Sequence, residues 1–179
     1  MPTRLVIVSD THVPQRARAI PDALWRAIEA ADVVVHAGDW NGIPLLDEFE
    51  ARAARLIGVR GNNDGPDFAA RLPEVATVEL DGVALAVVHD SGQREGRERR
   101  MDARFPGVDA VVFGHSHIPW DSVTASGTRL LNPGSPTDKR RQPSGTYLTA
   151  VADAGTLRDV SLVPLANDRF VRPRGARGG

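Results

Sequence analysis

The sequence predicts an α/β fold with parallel and antiparallel strands, and three observations carry that prediction. Apolar runs alternate with amphipathic segments over the first third of the chain, which is typical of parallel strands joined by crossover helices. Two further apolar runs flank Asp81-Gly82, a dipeptide that strongly favours a two-residue hairpin turn. Segments rich in β-forming residues occupy most of the chain beyond residue 120. We therefore expect mixed sheets with helices packed against them.

The elements of the first third follow from hydrophobic periodicity and from the residues that begin or end helices. Leu5 opens an apolar run rich in β-branched residues, which predicts a buried strand. Pro21 suits a first helical position, and Leu24 and Ile28 share one face of the helix that would follow. In the second helix Leu46, Phe49 and Ala53 are expected to face inward. The predicted strands span residues 5–8, 32–37 and 56–59, and the predicted helices span residues 21–30 and 44–54.

The remainder of the chain predicts one more helix among several strands. The helix, over residues 94–104, is so highly charged that a solvated face with pairs such as Glu95 and Arg99 is expected. The predicted strands span residues 75–80, 83–88 and 110–113, with further β-rich segments near 122–125, 128–131, 146–152 and 157–163.

Length and composition limit the classes of protein to be considered. The 179 residues suit a single domain over residues 1–165, followed by an Arg-, Pro- and Gly-rich tail over residues 166–179 that is expected to be disordered. The absence of Cys excludes disulfides, thiolate metal sites and thiol catalysis. A net charge of −1 gives no global basic field, so nucleic acid is not an expected partner beyond weak contacts of the tail. We expect a cytoplasmic location and no membrane partner. The exposed edge of the hairpin could support a homodimer.

Polar residues follow five of the predicted strands at the points where those strands end. In sheets flanked by helices, such positions are where ligands bind. Together they offer carboxylates, an amide carbonyl and imidazoles, which are too many donors for one tetrahedral ion but suit two ions about 3.5–4 Å apart. Oxygen and nitrogen donors without thiolate favour Mn, Fe, Ni or Zn. The candidate ligands are Asp10, His12, Asp39, Asn62, His89, His115 and His117.

The spacing within these motifs has a physical reason. In an extended chain residues i and i+2 point to the same side, so Asp10 and His12 can chelate one ion. The same holds for His115 and His117, unless the chain bends at the strand end and the two imidazoles serve different ions. A Gly precedes Asp39, Asn62 and His115, which permits unusual backbone angles and a close approach of the chain.

In this order the motifs resemble those of the calcineurin-like metallophosphoesterases, and they are most similar to the small single-domain phosphodiesterases of bacteria and archaea. The resemblance runs from Arg4 to about Pro164. It implies a four-layer sandwich of two facing mixed β-sheets with helices outside. It also implies two divalent ions, with Mn²⁺ expected ahead of Ni²⁺, Fe²⁺ or Zn²⁺. Asp39 would bridge the two ions, one held by Asp10, His12 and His117 and the other by Asn62, His89 and His115.

The resemblance further implies hydrolysis of a small phosphodiester by a water or hydroxide that bridges the two ions. Two alternatives stay open at this point. The same site could serve a phosphomonoesterase or nucleotidase, or the fold could be a metal-binding scaffold without catalysis. Retention of every expected ligand favours the enzyme.

Two positions depart from the pattern of many relatives. Asn63 stands where a His is common, and an amide has no titratable proton near neutral pH. We therefore expect Asn63 to contact the phosphate and Asp64 to be the candidate replacement acid. Asp90 follows His89 in place of Gly, and it could orient the His89 imidazole.

Several other polar, aromatic and basic residues are expected to have structural rather than functional roles. His36 lies in an apolar strand and is expected to be a hydrogen-bonded core residue. Trp40 and Trp120 are expected in the core rather than in a substrate cleft. Residues 132–135, Asn-Pro-Gly-Ser, predict a turn. The basic run at residues 139–141 is expected to be an exposed loop, although it could meet a substrate phosphate.

Overall fold

The computed structural model describes residues 1–166, and its first half alternates strands and helices as predicted. A short helix that the sequence did not predict follows the third strand and begins at Pro66. The elements are β1 (Thr3–Val8), α1 (Asp22–Ala30), β2 (Val33–His36), α2 (Ile43–Arg52), β3 (Leu56–Gly58) and α3 (Pro66–Ala69).

The second half contains the predicted hairpin and one further helix. The hairpin strands have the predicted bounds, because the turn at Asp81-Gly82 fixes their register. The elements are β4 (Val75–Leu80), β5 (Val83–Val88), α4 (Arg97–Arg104), β6 (Ala110–Val112), β7 (Trp120–Val123), β8 (Arg129–Asn132), β9 (Thr146–Asp153) and β10 (Thr156–Pro164).

Within residues 1–166 the strands form two five-stranded mixed sheets, which confirms the predicted fold. One sheet has the order β10-β9-β1-β2-β3, and the other has the order β4-β5-β6-β8-β7. In the first sheet β1, β2 and β3 run parallel, while β9 pairs antiparallel with β1. In the second sheet β6 runs parallel to β5 and β8. Every candidate ligand follows one of these parallel strands.

The sheets face each other across one core, and helices cover their outer faces. Leu5 and Ile7 of β1 pack in the core shared with Leu85 and Val87 of β5. The alternate β1 residues Val6 and Val8 pack with residues of α1 and α2. This burial on both faces explains why the strands are continuous apolar runs.

The boundaries of the first two helices differ slightly from prediction. Pro21 is the N-cap of α1 rather than its first helical residue, and Leu24 and Ile28 are fully buried. Helix α2 ends at Arg52, so Ala53 adopts an extended conformation beyond the helix and is only partly buried. Ala53 had been expected on the inner helical face, and Leu45 takes an inward position instead.

The charged helix α4 has the expected solvated face, with Arg99 and Arg104 exposed, but one of its arginines is buried. Arg97 is buried, with its guanidinium 4.6 Å from the Trp120 ring centroid and 4.9 Å from that of Phe113. Its long side chain therefore contributes packing and cation–π contact. The expected pair between Glu95 and Arg99 is absent from the ion pairs of residues 1–166, since α4 begins at Arg97 and Glu95 lies before it. Charge composition alone could not reveal which arginine lies over aromatic rings.

Within residues 1–166, no helix is long and apolar enough to span a bilayer. The predicted disordered tail lies outside the described residues, apart from its first residue.

Candidate metal centre

Seven polar residues converge where loops leave the carboxyl ends of the parallel strands. The structure brings together every ligand candidate that the sequence singled out, from both sheets. A backbone hydrogen bond from Gly114 to the His89 carbonyl ties the two contributing loops of the second sheet. The residues are Asp10 and His12 after β1, Asp39 after β2, Asn62 after β3, His89 after β5, and His115 and His117 after β6.

The first donor group, formed by Asp10, His12 and His117, is buried. The Nε2 atoms of the two imidazoles lie 3.1 Å apart. Asp10 Oδ1 lies 3.3 Å from His117 Nε2 and 3.8 Å from His12 Nε2. All three side chains are at most 3% exposed, so water cannot readily replace a ligand here. We call this set the buried group.

The second donor group, formed by Asn62, His89 and His115, is open to solvent. Asn62 Oδ1 lies 3.0 Å from His89 Nε2 and 2.8 Å from His115 Nδ1. His89 is buried, whereas Asn62 and His115 are exposed. We call this set the open group.

Asp39 lies between the two groups, and each of its oxygens faces a different one. Asp39 Oδ2 is 3.6 Å from His12 Nε2, and Asp39 Oδ1 is 3.4 Å from His89 Nε2. A carboxylate in this position can serve two ions, because its oxygens reach different neighbours.

Backbone carbonyls orient two of the imidazoles. His89 Nδ1 lies 2.7 Å from the Ala37 carbonyl, and His117 Nδ1 lies 2.7 Å from the Asp138 carbonyl. A carbonyl only accepts, so each Nδ1 carries the proton and donates it, which directs Nε2 toward the centre. The expectation that Asp90 orients His89 is wrong, because Asp90 Oδ1 accepts from the Gly92 N–H instead.

Mutual attraction between carboxylates and imidazoles shifts their protonation. Burial alone would raise the pKa of the Asp10 carboxyl, but the neighbouring imidazoles of His117 and His12 hold it well below its usual range. Burial likewise opposes ionisation of Asp39, yet His89 and Asn63 lower its pKa to about 2. Burial would lower the pKa of His89, and the neighbouring carboxylates Asp39 and Asp10 raise it to about 9. The carboxylates thus attract positive charge to the centre.

The donor set fits divalent cations. Asp10 Oδ1 is buried and has no hydrogen-bond partner among the described residues, a costly state for a carboxylate oxygen unless a cation satisfies it. The sets Asp10–His12–His117 and Asp10–Asp39–His89 each place their ligand atoms within 4.8 Å of one another. Oxygen and imidazole donors without sulfur suit Mn²⁺, Fe²⁺, Ni²⁺ or Zn²⁺.

The loops reach the centre through unusual backbone conformations. Asp10, His12, Asp39, His115 and His117 all have positive φ, between 47° and 68°. Such angles are uncommon outside Gly and Asn and concentrate at functional sites.

Two of the glycines before ligands are required by close approach rather than by their own angles. A Cβ at Gly61 would lie 2.2 Å from Asp39 Oδ1, and one at Gly114 would lie 1.9 Å from Ser9 Oγ. Gly38 does have the expected positive φ, of 90°.

The two residues after Asn62 support the centre differently. Asn63 donates to Asp39 twice, from its backbone N–H to Oδ1 at 2.9 Å and from Nδ2 to Oδ2 at 2.6 Å. Asp64 accepts four backbone N–H groups, those of Asp39, Trp40, Asn41 and Gly61. This geometry gives Asp64 a positioning role, and proton donation by Asp64 stays a prediction.

A loop that the sequence showed only as a turn holds the β1 and β6 loops in place. Ser135 Oγ donates to the Asp10 carbonyl at 2.7 Å, and Thr137 Oγ1 donates to the Thr11 carbonyl at 2.6 Å. Asn132 Nδ2 donates to the Gly114 carbonyl at 2.8 Å. No local pattern indicated these contacts, because their partners lie more than 100 residues away for Ser135 and Thr137.

His36 is a core residue, as predicted. Its ring is fully buried and stacks on Trp40, with centroids 3.4 Å apart. Nδ1 accepts from the Gly38 N–H at 3.1 Å, so the other nitrogen faces Thr11 Oγ1 as a donor. Burial lowers the pKa of His36 to about 3, and the imidazole is therefore neutral.

Comparison with known proteins places this geometry in a family. Residues 3–155 match the calcineurin-like phosphoesterase superfamily domain. The chain belongs to this superfamily. It is 32% identical over 136 residues to a probable metallophosphoesterase of Methanothermobacter thermautotrophicus, a match that covers 75% of this chain and 77% of that protein. The membership indicates a hydrolase of phosphoester bonds, and the converging residues are candidate ligands for divalent metal ions.

Two further proteins resemble this chain, one in sequence and one in fold. A phosphodiesterase of Methanocaldococcus jannaschii is 27% identical over 127 residues, which cover 64% of this chain and 73% of that protein. The crystal structure of Chaetomium thermophilum Vps29 superimposes with a TM-score of 0.76 at 16% identity, covering 91% of this chain and 97% of that one. At that identity the likeness to Vps29 shows the fold alone.

Proposed function

We propose that this protein is a phosphodiesterase that uses two divalent metal ions. The observation that supports this most is Asp39, whose two oxygens face the buried group and the open group separately. The choice of diesters over monoesters is supported by the name of one relative, a phosphodiesterase. The proposed substrate is a small phosphodiester, and the proposed ions are Mn²⁺.

The assignment of residues follows the two groups. Asp10, His12 and His117 would hold one ion, and Asn62, His89 and His115 would hold the other, with Asp39 shared. When bound, two such ions lower the pKa of a water molecule and neutralise charge on the phosphate. The buried group keeps bulk water away from one side, while the open group leaves room for a substrate.

Asn63 sets the limits of this reaction. Its Nδ2 already donates to Asp39, which orients the carboxylate and leaves one amide proton free to bind a phosphate oxygen. The amide cannot protonate a departing alkoxide near neutral pH. Esters with good leaving groups should therefore react much faster than those whose leaving group needs a proton.

Hydrolysis of bis(p-nitrophenyl) phosphate and of p-nitrophenyl phosphate tests the proposal. The protein would be stripped with chelator and supplied in turn with Mn²⁺, Ni²⁺, Zn²⁺ or Mg²⁺. Metal-restored hydrolysis that favours the diester supports the proposal. A preference for the monoester would instead favour a phosphomonoesterase or nucleotidase.

A scaffold remains the competing class, and the likeness to Vps29 in fold is the observation that favours it. A folded protein that binds two ions but hydrolyses neither ester would indicate an enzyme selective for another substrate, whereas a folded protein that binds no metal would favour the scaffold. Binding of fewer than two ions would refute the ligand assignment.

A further inference from the structure

Two loops beside the buried group carry an unusual concentration of positive charge. The first spans residues 14–19 and follows His12, and the second spans residues 136–143 and follows the turn near Ser135. Together they hold five cations and one carboxylate, in a chain with 22 Lys and Arg against 23 Asp and Glu. We call them the basic loops. Their cations are Arg16, Arg18, Lys139, Arg140 and Arg141.

Hydrogen bonds fix both loops to the candidate ligands. The Arg16 N–H donates to the His12 carbonyl at 2.8 Å. The Asp138 carbonyl accepts from His117 Nδ1 at 2.7 Å, and Thr137 anchors the same loop to Thr11. Arg16 Nε lies 3.5 Å from Asp138 Oδ2, which joins the two loops. The cations therefore stand within a few residues of two ligands, and metal and loops must be positioned together.

The charge of the basic loops is largely uncompensated. Arg16 faces Asp138, whereas the other four cations form no ion pair with a carboxylate in residues 1–166. Elsewhere Arg52 and Arg71 each pair with two carboxylates. Collecting like charges on one rim costs free energy, and an anionic ligand would offset that cost. Arg140 and Arg141 are exposed and available to such a ligand.

The opposite side of the centre lacks this imbalance. A cleft of about 340 Å³ borders Asn62 and His89. Its charged residues are Arg60 and Arg104 against Glu74 and Asp90, and Arg60 is already paired with Glu74 at 2.7 Å. A second anionic group of a substrate would thus be drawn toward the basic loops.

We propose that the basic loops bind a second phosphate of the substrate, next to the diester that is cleaved. Guanidinium groups suit phosphate because they donate parallel hydrogen bonds to two oxygens. The basic loops contain no aromatic residue, so bases would not be held by stacking and recognition would depend on charge. The substrate class is then a small phosphodiester that carries a second, terminal phosphate, and phosphorylated dinucleotides serve as its probes. This inference rests on the proposed phosphodiesterase function.

Dinucleotides with and without a terminal phosphate test the basic loops. The substrates are dithymidylate without a terminal phosphate and the same compound with a 5′- or a 3′-phosphate, assayed with Mn²⁺. All three have the same poor leaving group, so only the ratio of their slow rates is compared. At low salt kcat/KM should be roughly tenfold higher for one of the phosphorylated forms, mainly through a lower KM, and added salt should reduce this preference. The informative variant is Arg140→Asn/Arg141→Gln, because Asn tolerates the positive φ of Arg140. In this variant the ratio of kcat/KM between the phosphorylated and the unphosphorylated dinucleotide should fall close to one.

The matched control is Arg26→Gln/Arg55→Gln, which removes the same charge at exposed positions in α1 and before β3. It should keep the preference. An equal rate for all three dinucleotides, or a preference that survives in Arg140→Asn/Arg141→Gln, would overturn the inference.

These failures can be told apart from failure of the proposed function. If bis(p-nitrophenyl) phosphate is hydrolysed while the terminal phosphate has no effect, the inference about the basic loops alone is refuted. If no ester is hydrolysed, calorimetric binding of the same dinucleotides still decides. Tighter binding of a phosphorylated form, lost in the loop variant but not in the control, would support the basic loops, and equal binding would refute them.

Discussion

The two halves of the candidate metal centre are made of similar residues but differ in their surroundings. The buried group lies under the basic loops, with its carboxylate and imidazoles shielded from water. In the open group only His89 is shielded, while Asn62 and His115 face solvent. Under the proposed function, this difference would make the buried group a preorganised anchor and the open group the side that admits substrate.

Asp39 belongs to both halves, so its substitution should have the largest effect. We expect Asp39→Asn to lower kcat/KM on bis(p-nitrophenyl) phosphate on the order of 10³-fold, because the amide removes a charge and one oxygen donor. Asn63→Ala should lower it on the order of 10-fold to 10²-fold, since it removes one orienting hydrogen bond. Steady-state kinetics at saturating Mn²⁺ would measure both. Equal rates for Asp39→Asn and the natural protein would contradict the shared role.

His117 and His115 allow the two halves to be compared within one motif. In metal-free protein His117→Ala leaves the buried Asp10 carboxylate without a main partner, so we expect a loss of about 3–5 kcal/mol of unfolding free energy. His115 is exposed, so His115→Ala should lower the unfolding free energy by about 1 kcal/mol or less. Urea unfolding in the presence of chelator gives both values. Similar losses would mean that the halves are equally anchored.

Asp64 tests whether the loops of both halves depend on one carboxylate. Asp64→Asn replaces an acceptor of four backbone N–H groups by an amide that must turn one donor toward them. We expect a loss of roughly 2–3 kcal/mol in unfolding free energy. Asp67→Asn, at an exposed position of α3, is the matched control and should change stability little. An Asp64→Asn protein as stable as the natural one would contradict the positioning role of Asp64.

His36, behind the buried group, should give the smallest effect, and it depends on pH. Burial lowers the pKa of His36 to about 3 in the folded protein, while an unfolded His titrates near its ordinary value of 6.5. Between these values the unfolded state binds the extra proton, so stability falls as pH falls from about 6.5 toward 3.

His36→Gln removes this titration. From pH 7 to pH 5 the natural protein should lose roughly 1–2 kcal/mol more unfolding free energy than the variant. Chemical unfolding of both proteins at the two pH values measures the difference. Parallel losses would show that His36 is not held neutral by burial.

Much of the candidate site could be predicted because its residues are marked locally. Each candidate ligand follows an apolar run or lies within a few residues of its end, and Gly precedes Asp39, Asn62 and His115. Hydrophobic periodicity likewise located most strands, since a strand buried on both faces has a distinctive composition. The hairpin bounds followed from one turn dipeptide.

Other features depend on residues that are distant in sequence. The charge pattern of α4 did not reveal that Arg97 lies over Trp120 and Phe113, and Asp90 does not orient His89. The turn with Ser135 proved to hold the Asp10 carbonyl, 125 residues earlier.

The sequence by itself determined the fold class, the order of the strands along the chain and the residues that can form a metal centre. These are carried by local periodicity, turn chemistry and the types of donor atoms. Only the tertiary structure decided which half is buried, which loops surround it and that Asp39 lies between both. The physical reason is that burial, charge imbalance and the left-handed backbone at the ligands arise from contacts between loops that meet only after the two sheets have packed together.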